Sequence, residues 1–361
     1  MTDVDESVTT GTHHDEGDAT WSGWAALVRL PNSFTLIADV TAGFAVAHAA
    51  IGIMDAREGL RAFRWLALIA AIAMGLLLYW AGMILNDLCD LPQDRENQRP
   101  RPLVTGQIRQ EQARRLVWIF FVSAWLASLA TAWLSWHQSG MPLDRACVCP
   151  VIVTSLILSI VAYDGPMKAW AIAPAIMGGC RSLSSLLGAS LALAFNPGTG
   201  ESWTDLGVVR HVPVVSLIVS VAMGTYITGI TLFARREREV EQGWNLKLGL
   251  GLMMLGMATL AGAPSLAKQF EPGRVLPWRV DPSTVFPIAI LLMVAPTLLR
   301  GMRAIRAPSP RGIGLTIKFG IQAIIPLSAA LTLATLNTWA GLVVLALLIP
   351  AAWLSRRFAV T

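Results

Sequence analysis

Ten apolar runs, each near the length that crosses a bilayer as a helix, constrain this chain more than any other feature. They fall at approximately 33–54, 65–88, 113–136, 146–163, 169–195, 210–234, 245–263, 283–302, 313–334 and 338–355. A membrane helix needs roughly 20 apolar residues, and its backbone groups must be satisfied within the segment because lipid offers them no partner. A chain patterned in this way is expected to be all-α, a polytopic transmembrane bundle of nine to ten helices. The ninth run leaves the count open, because Lys318 and Gln322 suit either a crossing helix or an interfacial or re-entrant segment. Composition agrees: 54% of residues are hydrophobic and 14% charged, whereas charged residues make up about 25% of an ordinary soluble domain.

The ends and loops set domain organisation and orientation. Residues 1–20 are acidic and rich in Thr and Gly, with His13 and His14 together. No basic stretch precedes an apolar core there, so the segment reads as a disordered cytoplasmic tail and not a cleavable signal. Residues 21–361 read as one transmembrane domain, entered through an amphipathic lead-in whose Trp21 and Trp24 suit the membrane interface. Basic residues gather in alternate loops: Arg95, Arg99, Arg101, Arg109, Arg114 and Arg115, then Arg235, Arg236 and Arg238, then Arg300, Arg303, Arg306 and Arg311. The positive-inside bias places those loops in the cytoplasm of a multi-pass inner-membrane protein, although Arg57, Arg61 and Arg64 pull mildly the other way. The net charge of +5 belongs to these loops; no basic helix interleaved with aromatics points to nucleic acid. Cys89, Cys147, Cys149 and Cys180 lie in or beside apolar runs without CxxC spacing, which argues for small, buried, reduced thiols.

Chemistry gathers at the cytoplasmic end of the second run, in Asn86-Asp87-Leu88-Cys89-Asp90-Leu91-Pro92-Gln93-Asp94, continuing into Arg95 and Arg99-Pro100-Arg101-Pro102. Carboxylates at i, i+3 and i+7 share one face of a helix. Their repulsion at a membrane surface calls for a compensating cation. Mg²⁺ suits the role, since it binds through one or two carboxylates plus substrate phosphates. The neighbouring arginines add phosphate-binding donors. The alternative is a solvated acidic turn. Pro92 is expected to disturb the helix and so to spoil the common face.

Three further places stand out. Tyr163-Asp164-Gly165-Pro166-Met167-Lys168 forms a turn that brings Tyr163 and Lys168 together at the membrane mouth. Both suit a phosphate ligand, and both equally suit an interfacial Tyr beside a snorkelling Lys. Arg181 stands inside the fifth run among Gly178, Gly179, Ser182, Ser184, Ser185 and Gly188. An intramembrane arginine marks a functional site by default. It is expected to face a polar cavity and its anionic ligand, the alternative being a buried structural ion pair. In the last part of the sixth run stand Tyr226, Gly229 and Thr231, and beyond it Glu237 and Glu241. The two glutamates suit either a second cation or an ordinary solvated helix end.

These residues resemble the UbiA superfamily of intramembrane prenyltransferases. The resemblance rests on an NDxxDxxxD pattern at Asn86, Asp87, Asp90 and Asp94, then Arg101-Pro102-Leu103-Val104-Thr105-Gly106. It continues with a YxxxxK pattern at Tyr163 and Lys168, Arg181 and Gly188 in the fifth run, and Arg29-Leu30-Pro31-Asn32 leading into the first. It covers roughly residues 29–240. The family's second acidic pattern is replaced by Gly229, Thr231 and Glu237, a departure that resembles a bacterial branch including the EboC-like proteins.

The resemblance implies a helical bundle around a central cavity and transfer of an isoprenoid chain from a prenyl diphosphate to an acceptor. It implies Mg²⁺ held by Asp87, Asp90 and Asp94, with Asn86 as a neutral ligand or orienting group. Lys168, Arg101 and Arg181 would neutralise the departing diphosphate. Tyr163 or Tyr226 would face the allylic cation. The acceptor stays unnamed. The competing expectations are a membrane protein that binds polyprenyl diphosphates or other lipids without turnover, and a transporter.

Overall fold

The computed structural model describes residues 16–51, 62–194, 211–235, 243–271 and 278–357, and these form helices and no strands. In chain order the helices are α1 (Glu16–Leu27), α2 (Leu30–Ala50), α3 (Ala62–Glu96), α4 (Gln110–Ser139) and α5 (Leu143–Ala146). They continue with α6 (Val148–Asp164), α7 (Ala173–Ala194), α8 (Val214–Ala234), α9 (Gly243–Ala261) and α10 (Ala263–Phe270). The last five are α11 (Val285–Arg306), α12 (Pro310–Gln322), α13 (Ile324–Thr335), α14 (Thr338–Ala346) and α15 (Leu348–Arg357).

Ten spans among the described residues are long and apolar enough to cross a membrane. The ninth is one of them. α12 and α13 join at Ala323, whose backbone stays in the right-handed helical region, so Pro310–Thr335 forms one continuous span long and apolar enough to cross a membrane despite Lys318 and Gln322. α5 and α6 likewise join at Cys147, and α14 and α15 at Leu347. Helix α1 begins at Glu16, inside the stretch expected to be tail; residues 1–15, with His13 and His14, lie outside the described residues. Cys89 is exposed, unlike the buried thiol expected there, while Cys149 is buried.

α7 is the hub. It packs on α2, α8, α6 and α3, and the small residues of its middle let two of those neighbours come close. A Cβ built on Gly188 would stand 2.0 Å from the Val40 carbonyl oxygen, and one on Gly43 equally close to the carbonyl oxygen of Ser185. Only hydrogen fits at either position, so α2 and α7 cross backbone to backbone. One apolar core lies among α2, α3, α4, α6 and α7, and a second among α8, α9, α11, α12 and α13. The outer faces are apolar too: Trp118, Trp125 and Trp133 on α4 and Trp339 on α14 are exposed, as lipid-facing positions require.

Candidate active site at the C-terminal end of α3

Asn86, Asp87, Asp90 and Asp94 occupy the last turns of α3, which stays helical to Glu96 with Pro92 inside it. The expected disturbance is absent. Pro92 is exposed on the outer side of the helix end, where water can serve the carbonyl it leaves without a donor. Asp87 and Asp94 are buried. The chain then doubles back through Gln98 (φ 49°) and Gly106 (φ 77°), which turns the arginine-rich segment onto the carboxylates.

One nitrogen bridges two of the acids. Arg101 Nη1 lies 2.9 Å from Asp87 Oδ1 and 2.8 Å from Asp94 Oδ2. Arg99 Nη1 stands 3.2 Å from the other Asp94 oxygen. Arg29, left-handed (φ 48°) at the start of α2, brings Nη2 within 3.6 Å of Asp87 Oδ1. Asp90 takes a different partner, Lys168 Nζ at 2.5 Å. The turn that carries Lys168 is held from both sides. Asn86 Nδ2 donates to Asp164 Oδ1 at 2.7 Å, and Arg235 Nη2 at the end of α8 donates to the Ala169 carbonyl at 2.7 Å. Tyr163 is half-buried and within electrostatic range of Arg29, Asp90 and Asp164. Asn86, Asp87, Asp90, Asp94, Arg101, Tyr163 and Lys168 thus come together.

Two expected members do not join them. Tyr226 is fully buried in the second core and its hydroxyl donates to the Gly320 carbonyl at 3.0 Å, so it ties α8 to α12. Arg181 turns to α2: Nη2 donates to the Thr35 carbonyl at 2.9 Å, and Nε lies 3.2 Å from Asp39 Oδ2. The ion-pair alternative describes its contacts. Gly229 accounts for part of the missing second acidic pattern, because a Cβ there would stand 2.5 Å from the Gly249 carbonyl oxygen at the α8–α9 crossing. Arg236, Glu237, Arg238 and Glu241 lie outside the described residues.

Asp39, Arg29 and Asp164 take part as well: Arg29 and Asp164 stand within the sequence patterns with no role attached to them, and Asp39 lies outside those patterns. Asp39 carried a usable signal. It is a lone acid in the first apolar run, and such a residue calls for a basic partner, for which Arg181, in the interior of the fifth run, is a candidate.

The donor set also bears on a metal. Among the described residues no three acidic, His or Cys side chains converge on one point, so the aspartates do not act as a three-carboxylate cage. Asp90 diverges toward Lys168. Asp87 and Asp94, however, face a single position, the one held by Arg101 Nη1. Two carboxylates facing one position match the one or two through which Mg²⁺ binds beside substrate phosphates, and on that chemistry the residues fit the ion.

No family model matches the sequence, and no curated protein matches it. Solved structures do match its fold. A digeranylgeranylglyceryl phosphate synthase described in membranes superposes with a TM-score of 0.56 at 15% identity, over 88% of this chain and 98% of that one. A UbiA homologue from Aeropyrum pernix K1 superposes with a TM-score of 0.51 at 15% identity, over 81% of this chain and 96% of that one. The chain has the UbiA fold.

Proposed function

We propose that this protein is an Mg²⁺-dependent prenyltransferase of the UbiA superfamily, moving an isoprenoid chain from its diphosphate to a still unidentified acceptor. The carrying observation is the α3 aspartate cluster ringed by Arg29, Arg99, Arg101 and Lys168, from three separate parts of the chain, at one end of a membrane bundle. With basic residues concentrated at that end, the site opens to the cytoplasm of a multi-pass inner-membrane protein.

The reaction breaks the bond between C1 of the prenyl group and the diphosphate oxygen. The bonding pair leaves with diphosphate, the acceptor's nucleophile forms the new bond to C1, and its proton departs. Asp87 and Asp94 would hold Mg²⁺, which when bound supplies neutralising charge on the diphosphate oxygens. Arg101 would exchange its two carboxylates for the diphosphate, a planar donor fork suited to that geometry. Lys168 would place a point charge on the same leaving group, with Asp90 fixing its direction. Tyr163 offers a π-face to the allylic cation, and the apolar helices keep water from quenching it. Asn86 orients the α6 end through Asp164.

The test is diphosphate release from labelled prenyl diphosphates of graded length by the purified protein, with and without Mg²⁺, in the presence of extracted membrane lipid. Mg²⁺-dependent release with the label moving into a new product supports transfer. Tight binding without release would make the protein a prenyl-diphosphate binder and end the enzymatic reading.

A further inference from the structure

Arg181 and Asp39 form an ion pair in the interior of the bundle, and the acidic site uses neither of them. Asp39 is nine residues beyond the start of α2, roughly 14 Å along the helix, and its side chain is 1% exposed; that of Arg181 is 11% exposed. The charge contact of 3.2 Å lacks hydrogen-bond alignment, and the aligned bond of Arg181 goes instead to the Thr35 carbonyl. Arg181 therefore grips α2 at two points one turn apart. Just beyond lie the Gly43 and Gly188 approaches, where the two backbones touch and side chains cannot adjust. The glycine approaches restrict rotation of α2 against α7, and the Arg181 grip adds a hydrogen bond and an ion pair that hold the same rotation and the height of α2 along α7.

What that register sets is the place of Arg29. Arg29 is the last residue before α2, bent into the left-handed region, with its guanidinium 3.6 Å from Asp87. Rotating α2 by one residue's worth, about 100°, would swing Arg29 away from α3. Trp80 Nε1 of α3 donates to Ser33 Oγ near the start of α2 at 3.0 Å, and Tyr79 lies within electrostatic range of both Arg29 and Arg181. The same segment of α2 is thus braced against α3 as well.

We propose that the Arg181–Asp39 pair is a clamp that positions Arg29 at the acidic site, so that Arg181 serves ligand binding through α2 without touching the ligand. Arg181 is then a positioning residue. Its kinetic consequences rest on the prenyl-diphosphate reading, while its structural consequence, the placement of residue 29, does not.

The experiment compares Arg181→Met, Arg181→Lys and the double variant Asp39→Leu/Arg181→Met. Three quantities are read: melting temperature in detergent, kcat and KM for Mg²⁺-dependent diphosphate release, and thiol-labelling rate at position 29. Labelling uses Arg29→Cys in a background with the four native cysteines replaced by serine, measured in membranes. Arg181→Met alone strands the Asp39 charge and should lower the melting temperature, whereas the double variant removes both charges and should regain it. The clamp predicts that the double variant, at parental melting temperature, keeps a KM raised roughly 10–100-fold, the usual effect of losing a supporting partner, with a smaller change in kcat. Labelling at position 29 should change severalfold, and Arg181→Lys should restore part of each loss. A double variant with parental KM and labelling rate would reduce the pair to packing and overturn the proposal. Parental labelling with collapsed kcat would place Arg181 on the reacting atoms and also overturn it. Should the double variant fail to fold, labelling in Arg181→Lys decides, an unchanged rate being the contrary result. Absence of release by the parent would defeat the prenyltransferase reading alone, leaving the labelling arm to judge the clamp.

Discussion

Lys168 reaches Asp90 from the turn between α6 and α7, placing Nζ 2.5 Å from Oδ1 across 78 residues of sequence. The contact joins the two patterns that the sequence carries most clearly, NDxxDxxxD and YxxxxK, into one site. It also explains why Asp90 stands apart from Asp87 and Asp94: its charge is matched by the lysine and theirs by arginines.

If Lys168 stabilises the departing diphosphate, Lys168→Gln should lower kcat/KM by roughly 100-fold or more, in the range found when one transition-state donor is removed. Lys168→Arg keeps the charge and should lose less. Asp90→Asn should mimic part of the loss, because the amine is then unaimed. Steady-state diphosphate release measures all three, and wild-type kinetics in Lys168→Gln would remove the lysine from the reaction.

Asp87 and Asp94 face one position, so their loss should appear as a weakened affinity for Mg²⁺. Chelation of the wild-type protein should abolish turnover, and added Mg²⁺ should restore it. Asp87→Asn or Asp94→Asn should need far more Mg²⁺ for the same rate. Arg101→Ala should instead raise KM for the prenyl diphosphate with little change in the Mg²⁺ requirement. A Mg²⁺ requirement unchanged in both Asn variants would dismiss the two-carboxylate arrangement.

Much of this was legible in the primary structure because membrane spans and the aspartate cluster are local signals. A run such as Trp65 to Leu85 announces its helix, and acids at i, i+3 and i+7 announce a face. Tertiary partners are not local. Tyr226 stands inside its run, eight residues before its end, and nothing in the surrounding sequence says that Gly320, 94 residues away, takes its hydroxyl. Arg181 was recognised as exceptional, but its direction depended on the close approach of α2 and α7. Pro92 was over-weighted, since a proline near an exposed helix end costs far less than one in the interior. Arg29 was hidden because its role depends on the left-handed bend before α2.

Tyr226→Phe tests the reassignment of that tyrosine. Removing the hydroxyl forfeits one buried hydrogen bond between α8 and α12, worth about 0.5–1.5 kcal/mol, and leaves the ring in its core. The melting temperature should fall slightly while kcat and KM for the prenyl diphosphate stay at parental values. A large kinetic effect with normal stability would return Tyr226 to the site.

The single-site reading also demands that all its parts lie on one side of the membrane. Ten crossings put the turns around Gln98, Lys168 and Ala307, together with Ser355 at the end of α15, at the same end of the bundle, while Gly140 and Ser283 lie at the opposite end. Basic residues favour the first end: Arg95, Arg99, Arg101, Arg303, Arg306, Arg356 and Arg357 are all there. By the positive-inside bias that end is expected to face the cytoplasm. Single cysteines at 98, 307, 355, 140 and 283, each in a cysteine-free background, should separate into two groups when sealed vesicles of known orientation meet an impermeant thiol reagent. Positions 98, 307 and 355 should label only from the cytoplasmic face, and 140 and 283 only from the other. The position in the Lys168 turn is best probed at Ala169→Cys, which leaves the lysine in place and should follow the first group. Labelling of 98 and 169 from opposite faces would separate Asp90 from Lys168 by a membrane and dissolve the site.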